Sequence, residues 1–132
     1  MAKVITEHQV NECNSAIRIE ADDPNPKHGN ASHVYTLEWD GPPTDMLQQG
    51  ERQKRCITLN FQDGPIGEVG VNGITHEALL AVLIDRLRGF QDSPFACSEN
   101  AHALSKLEHA LDWLHSRTKA RVARGVEGSH QV

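Results

Sequence analysis

Residues 88–100, Arg-Gly-Phe-Gln-Asp-Ser-Pro-Phe-Ala-Cys-Ser-Glu-Asn, decide how this chain folds. To their left, Thr75 to Arg88 reads as one amphipathic helix; to their right, Ser98 to Arg124 reads as a longer one. Gly89 is suited to a left-handed stop for the first helix, and Asp92-Ser93-Pro94 carries turn chemistry. Ser98 offers a hydroxyl to cap the second helix, with Glu99 favourably placed against the positive end of its dipole. The stretch therefore predicts the bend of a helical hairpin, with Phe90 and Asn100 near its tip.

Both predicted helices carry the stripe such a hairpin needs. The first has Leu79, Leu80, Val82, Leu83, Ile84 and Leu87 over a broad face, wider than one partner helix requires. In the second, Leu104, Leu107, Leu111 and Leu114 step by three, four and three residues, a coiled-coil-like seam. Continued backward, the seam meets Asn100; continued forward, it meets Thr118 and Arg121, so an apolar line has polar ends. Gly125 closes the helix and leaves a short tail, 126–132.

Upstream the pattern changes to strands. Ala16–Glu20, His33–Trp39 and Cys56–Phe61 alternate or are rich in β-branched and aromatic residues, and residues before 16 suggest only a frayed strand. Asp22–Ser32 and Gly41–Gln53 are dense in Pro, Gly and polar residues and read as loops. Glycines at 64, 67, 70 and 73 fit neither collagen nor a phosphate loop, which needs Gly-Lys-Ser/Thr opening a helix, and read as an irregular linker. The expected fold class is α+β: a small N-terminal antiparallel sheet followed by a two-helix hairpin, oligomerising through the helices. At 132 residues this is one domain by length, with a strand-rich part and linker over 1–74, the hairpin over 75–125 and the tail beyond.

Composition narrows the function. The net charge is -5 at pH 7, which argues against gripping a nucleic-acid polymer, whereas a small anion needs only a local cluster such as Arg117, Lys119, Arg121 and Arg124. No long apolar run and no signal-peptide pattern is present, which predicts a soluble protein with no membrane partner. The three cysteines, Cys13, Cys56 and Cys97, are far apart and predict free thiols rather than disulfides.

Four residues stand out as candidate ligand contacts. Arg117 and Arg121, an i, i+4 pair, either lie in solvent near the helix C-terminus or form a fork for a pyrophosphate or phosphodiester. Phe90 either seals the hairpin core or offers a stacking platform to a purine, and Asn100 either bonds backbone near the cap or addresses a base edge or ribose. Eight histidines invite a metal reading, and His109, Asp112 and His115 share one helix side, but no HExxH and no Cys/His cluster with zinc spacing is present, so no metal or cofactor is expected, and no nucleophile motif argues for an enzyme.

From Leu59 onward the chain closely resembles the phage Thoeris anti-defence (Tad) proteins of the first type, through residues 60–79 (NFQDGPIGEVGVNGITHEAL), 85–101 (DRLRGFQDSPFACSENA) and 111–132 (LDWLHSRTKARVARGVEGSHQV). The helical part also resembles the hairpin of phage anti-CBASS sponges. The resemblance implies a non-enzymatic sponge that sequesters glycocyclic ADP-ribose (gcADPR) signals intact. It also implies binding of cyclic dinucleotides and, at separate sites, cyclic trinucleotides, with assembly as a homodimer or a trimer of dimers, in the cytoplasm of the infected bacterial host. Carried over by position, the family's ligand-contacting phenylalanine and asparagine fall on Phe90 and Asn100, and its helix arginines on Arg117 and Arg121. Gly67 stands where some relatives are expected to carry lysine. A structural or adaptor dimerisation module is the alternative reading, and a signal-degrading enzyme the third.

Overall fold

The computed structural model describes residues 3–41 and 53–129, and these fall into two compact units, Met1–Asp63 and Gly64–Val132. The division falls within the span 1–74 that the sequence reads as strand-rich part and linker. The predicted Gly41–Gln53 loop lies mostly outside the described residues.

The first unit is a four-stranded antiparallel meander, β1 (Lys3–Ile5), β2 (Arg18–Ala21), β3 (Val34–Gly41) and β4 (Gln53–Asn60), paired in sequence order. Its register explains its amphipathic character. Ile5 opposes Ile19, Ile19 opposes Leu37 and Leu37 opposes Ile57; one step along, Ala21 opposes Tyr35 and Tyr35 opposes Leu59. Directly opposed residues share a face, so these side chains make one apolar surface, while Glu20, Thr36, Glu38, Thr58 and Cys56 fall on the other. The N-terminal segment holds more structure than the frayed strand expected: β1 pairs with β2, and a one-turn helix, α1 (Glu12–Ser15), is capped by Asn11, whose Oδ1 accepts from Asn14 N at 2.9 Å. A three-residue β1 has no periodicity to detect and exists only through its partner.

The second unit holds a one-turn helix, α2 (Ile66–Val69), within the predicted irregular linker, then α3 (His76–Gln91) and α4 (Ser98–Ala123). Thr75 caps α3, its hydroxyl accepting from Ala78 N at 3.1 Å. Two local expectations are corrected. Gly89 does not stop α3: the helix continues to Gln91 and Gly89 keeps an ordinary negative φ, because nothing at that point drives the backbone left-handed. The cap of α4 is Cys97 rather than Ser98; its Sγ accepts from Asn100 N at 3.4 Å, and Ser98 is the first helical residue.

Among the described residues, no helix is long and apolar enough to cross a membrane. Cys13, Cys56 and Cys97 are free thiols, as their spacing predicted, and all three are exposed.

Burial in the single chain is thin. Only Ala21 and Ile84 are buried apolar residues among those described, and no large side chain is fully enclosed. The seam leucines of α4 are half-buried, as two packed helices allow. Val82, Trp113 and Val122 remain 63%, 77% and 60% exposed, so much of the hairpin's apolar surface is left uncovered.

Candidate functional site

The bend between α3 and α4 is stitched by side chains rather than by glycine. Gln91 Nε2 donates to Cys97 O and Cys97 N donates back to Gln91 Oε1, both at 3.1 Å, so one amide bridges the turn in both directions. Ser93 Oγ donates to Phe90 O at 2.6 Å and accepts from Phe95 N at 3.1 Å. Below the turn, Arg88 Nη2 meets Glu108 Oε2 at 2.7 Å; both side chains are well exposed, so the pair contributes about 0.2–1 kcal/mol.

These contacts fix Phe90 at the rim of a groove between the two helices. The groove, about 350 Å3 and open to solvent, is lined by Leu83, Arg86, Leu87 and Phe90 of α3 and by Asn100 and Leu107 of α4. Positions 83, 86, 87 and 90 lie on one side of α3 by the three-and-four spacing of a helix. The Arg86 guanidinium carbon lies 5.0 Å from the centre of the Phe90 ring, within cation–π range. The groove therefore offers an apolar floor, an aromatic face, a guanidinium and a carboxamide. Those groups suit a base or ribose carrying negative charge, and none of the six is a nucleophile or general base.

Two of the four sequence-predicted residues, Phe90 and Asn100, thus come together. Arg86 was missed, although its i, i+4 spacing to Phe90 is the signal that would have found it. The two arginines of α4 lie elsewhere: at 1.5 Å rise per residue, Arg117 is roughly 25 Å and Arg121 roughly 30 Å along the helix from Asn100.

The arginine pair is itself divided. Arg117 is exposed and makes no ion pair among the described residues. Arg121 is 8% exposed and held by the tail: Nε donates to Glu127 Oε2 at 3.0 Å, and Nη2 donates to Val126 O at 3.0 Å and Ser129 O at 3.1 Å. The tail turns back at Gly125 and Gly128, both with positive φ (72° and 82°). It then docks on α2, with Gly67 N donating to Gly128 O at 2.9 Å. A Cβ on residue 67 would sit 2.7 Å from that carbonyl oxygen, which gives a physical reason for glycine here.

His109, Asp112 and His115 are exposed, as expected of a solvated helix face. Among the described residues, the grouping with metal-ligand spacing is His28, His33 and Asp63 of the first unit. There the hydrogen bond from His28, with the neighbouring His33, holds the Asp63 carboxyl below its ordinary value.

The family model for the Acb2/Tad1 hairpin domain matches residues 57–119. The chain is also 55% identical over 77 residues to Thoeris anti-defense 1 of Bacillus phage SBSphiJ7, an alignment covering 58% of this chain and 54% of that protein. The chain thus spans about half the length of the curated relative it matches.

Proposed function

We propose, from the match of residues 57–119 to the Acb2/Tad1 hairpin domain, that the chain is a phage anti-defence sponge, acting against Thoeris immunity by binding gcADPR signals without cleaving them. The same reading extends to the cyclic di- and trinucleotides of CBASS immunity. The observation that carries it is the groove at the hairpin tip, where the Phe90 ring, Arg86 and Asn100 converge on an apolar floor.

Energetics favour a pocket shared between chains. A nanomolar sponge needs about −12 kcal/mol. One stacked base supplies about 2 kcal/mol, two charge-assisted contacts about 2–3 kcal/mol each and one amide bond about 1 kcal/mol, some 8 kcal/mol before the cost of immobilising the ligand. Of the charged contacts in that sum the groove itself offers only Arg86, and Arg117 and Arg121 reach it only from a second copy, since along one helix they lie roughly 25 Å or more from Asn100. A homodimer, or a trimer of dimers, that sets the arginine end of one α4 against the hairpin tip of another closes the groove. It would also cover the exposed Val82 and Val122 and exclude water from the charged contacts. An anionic ligand reaches Arg121 by taking the place of the Glu127 carboxylate.

The uncovered apolar surface equally suits an adaptor module that only self-associates. Isothermal titration with gcADPR separates the two: a sponge binds one ligand per shared pocket with sub-micromolar affinity, and an adaptor gives no heat.

A further inference from the structure

The sponge reading makes no use of the loop 22–32, yet that loop is built with care. Asp22 Oδ1 accepts from His33 N at 3.0 Å and Val34 N at 3.3 Å, while Ser32 Oγ donates to Asp22 O at 2.7 Å, fixing the loop's base at the start of β3. Inside it, a 3-10 turn (Pro26–His28) is capped by Asn25, whose Oδ1 accepts from Lys27 N at 3.0 Å. Gly29 and Asn30 follow with φ of 82° and 57°, two left-handed residues that bring the chain back so that Asn25 N donates to Ala31 O at 2.9 Å. The effect is to place the His28 ring against His33, edge to face, at 6.2 Å between centres. On the neighbouring strand, Phe61 N donates to His33 O at 2.7 Å, carrying the β3–β4 ladder far enough to set Asp63 beside both histidines.

The ligating atoms of His28, His33 and Asp63 lie within 4.8 Å of one another. His33 is nine-tenths buried, and its Nε2, sealed from solvent, makes no hydrogen bond although it points at Asp63 Oδ1 from 3.5 Å. His28 Nδ1 hydrogen-bonds the same carboxylate oxygen. Asn25 Nδ2 approaches both, at 3.2 Å from His28 Nδ1 and 3.4 Å from Asp63 Oδ1, and so orients the pair. A tetrahedral ion with bonds of about 2.0–2.2 Å sets its ligand atoms roughly 3.3 Å apart, which His33 and Asp63 already match. His28 sits closer to Asp63 than that spacing and moves away from it when the ion enters.

We propose that His28 Nδ1, His33 Nε2 and Asp63 Oδ1 bind one divalent transition-metal ion. Two imidazoles and a carboxylate suit Zn2+, Co2+ or Ni2+ rather than Mg2+ or Ca2+, which favour oxygen donors, and three protein ligands leave a further position to water. On binding, neutral His28 carries its one proton on Nε2, which leaves the Nδ1 lone pair to the metal in place of its contact with Asp63, with no change of oxidation state. The ion ties the loop to the end of β4 across 35 residues, a clip that stabilises the first unit. Sequence spacing hides the site, since its ligands lie in a loop, just before β3 and just beyond β4.

The test uses the full chain without a polyhistidine tag, stripped with chelator and titrated with Zn2+ calorimetrically and with Co2+ by visible absorption. The expected result is one equivalent per chain and the d–d bands of a tetrahedral Co2+ site. His33→Gln and Asp63→Asn should each weaken binding at least about tenfold while keeping the circular-dichroism spectrum of the stripped wild type. His109→Gln/His115→Gln on α4 should bind as the wild type does. Absence of binding by the wild type, unchanged binding in both His33→Gln and Asp63→Asn, or loss of binding in the α4 double variant would each overturn the proposal. gcADPR titration of the same variants keeps this result separate from the sponge reading, because none of the three residues lines the groove.

Discussion

The two ends of α4 carry candidate residues of similar promise in opposite states. At the hairpin tip, the Phe90 ring and the Asn100 side chain face an open groove beside Arg86. At the far end, Arg121 is enclosed by Val126, Glu127 and Ser129 of its own chain. A recognition surface has to be reachable, and the tip is; Arg121 instead donates to acceptors of the tail, which docks on α2 through Gly67. Arg117, four residues earlier, remains exposed. Identical side chains one helical turn apart therefore differ in what they do for the isolated chain: one stabilises it, the other is available.

The contrast can be broken at the tip first. Phe90→Ala removes the aromatic face and is expected to weaken gcADPR binding by about 2–3 kcal/mol, some 30- to 150-fold in Kd, with the thermal transition close to that of wild type. Unchanged calorimetric affinity would move the pocket away from the tip. Next comes the arginine pair. Arg121→Ala leaves two carbonyl oxygens and the Glu127 carboxylate without their donor, and should cost about 2 kcal/mol of stability. The exposed side of Glu127 keeps that figure modest. Arg117→Ala should leave the melting curve in place and act on ligand affinity alone. Equal melting temperatures for both variants would remove the structural distinction drawn between them. The smallest effect has the opposite sign: Gly89→Ala should stabilise by about 0.5–1 kcal/mol, because Gly89 is inside α3 with no atom crowding a new Cβ. A loss of stability there would restore the left-handed stop.

The hairpin was legible because it is written in local terms. Leucines at 104, 107, 111 and 114 define a seam, and Thr75 announces a helix start, so α3 and α4 follow from spacing alone. The α+β class and three of the four strands were legible for the same reason, through alternation and breakers. What escaped was settled by partners distant in sequence. Gly89 invites a stop on statistics, but Gln91 bridges to Cys97 across the turn and the helix runs on to meet it. Ser98 is the better cap by residue type, yet the turn delivers Cys97 to that position. β1 needs β2 beside it, and the burial of Arg121 needs a tail whose path depends on Gly125 and Gly128. Of the groove, Phe90 and Asn100 were legible and Arg86 was not weighed, since an arginine on a helix usually means a solvated face.

Capture without chemistry is the central claim, and recovery of the ligand tests it most directly. The protein is incubated with gcADPR, separated from unbound ligand and heat-denatured, and the supernatant is examined by mass spectrometry. A sponge returns gcADPR of unchanged mass in proportion to the protein loaded. A product of altered mass, or no gcADPR carried through the separation, would contradict it.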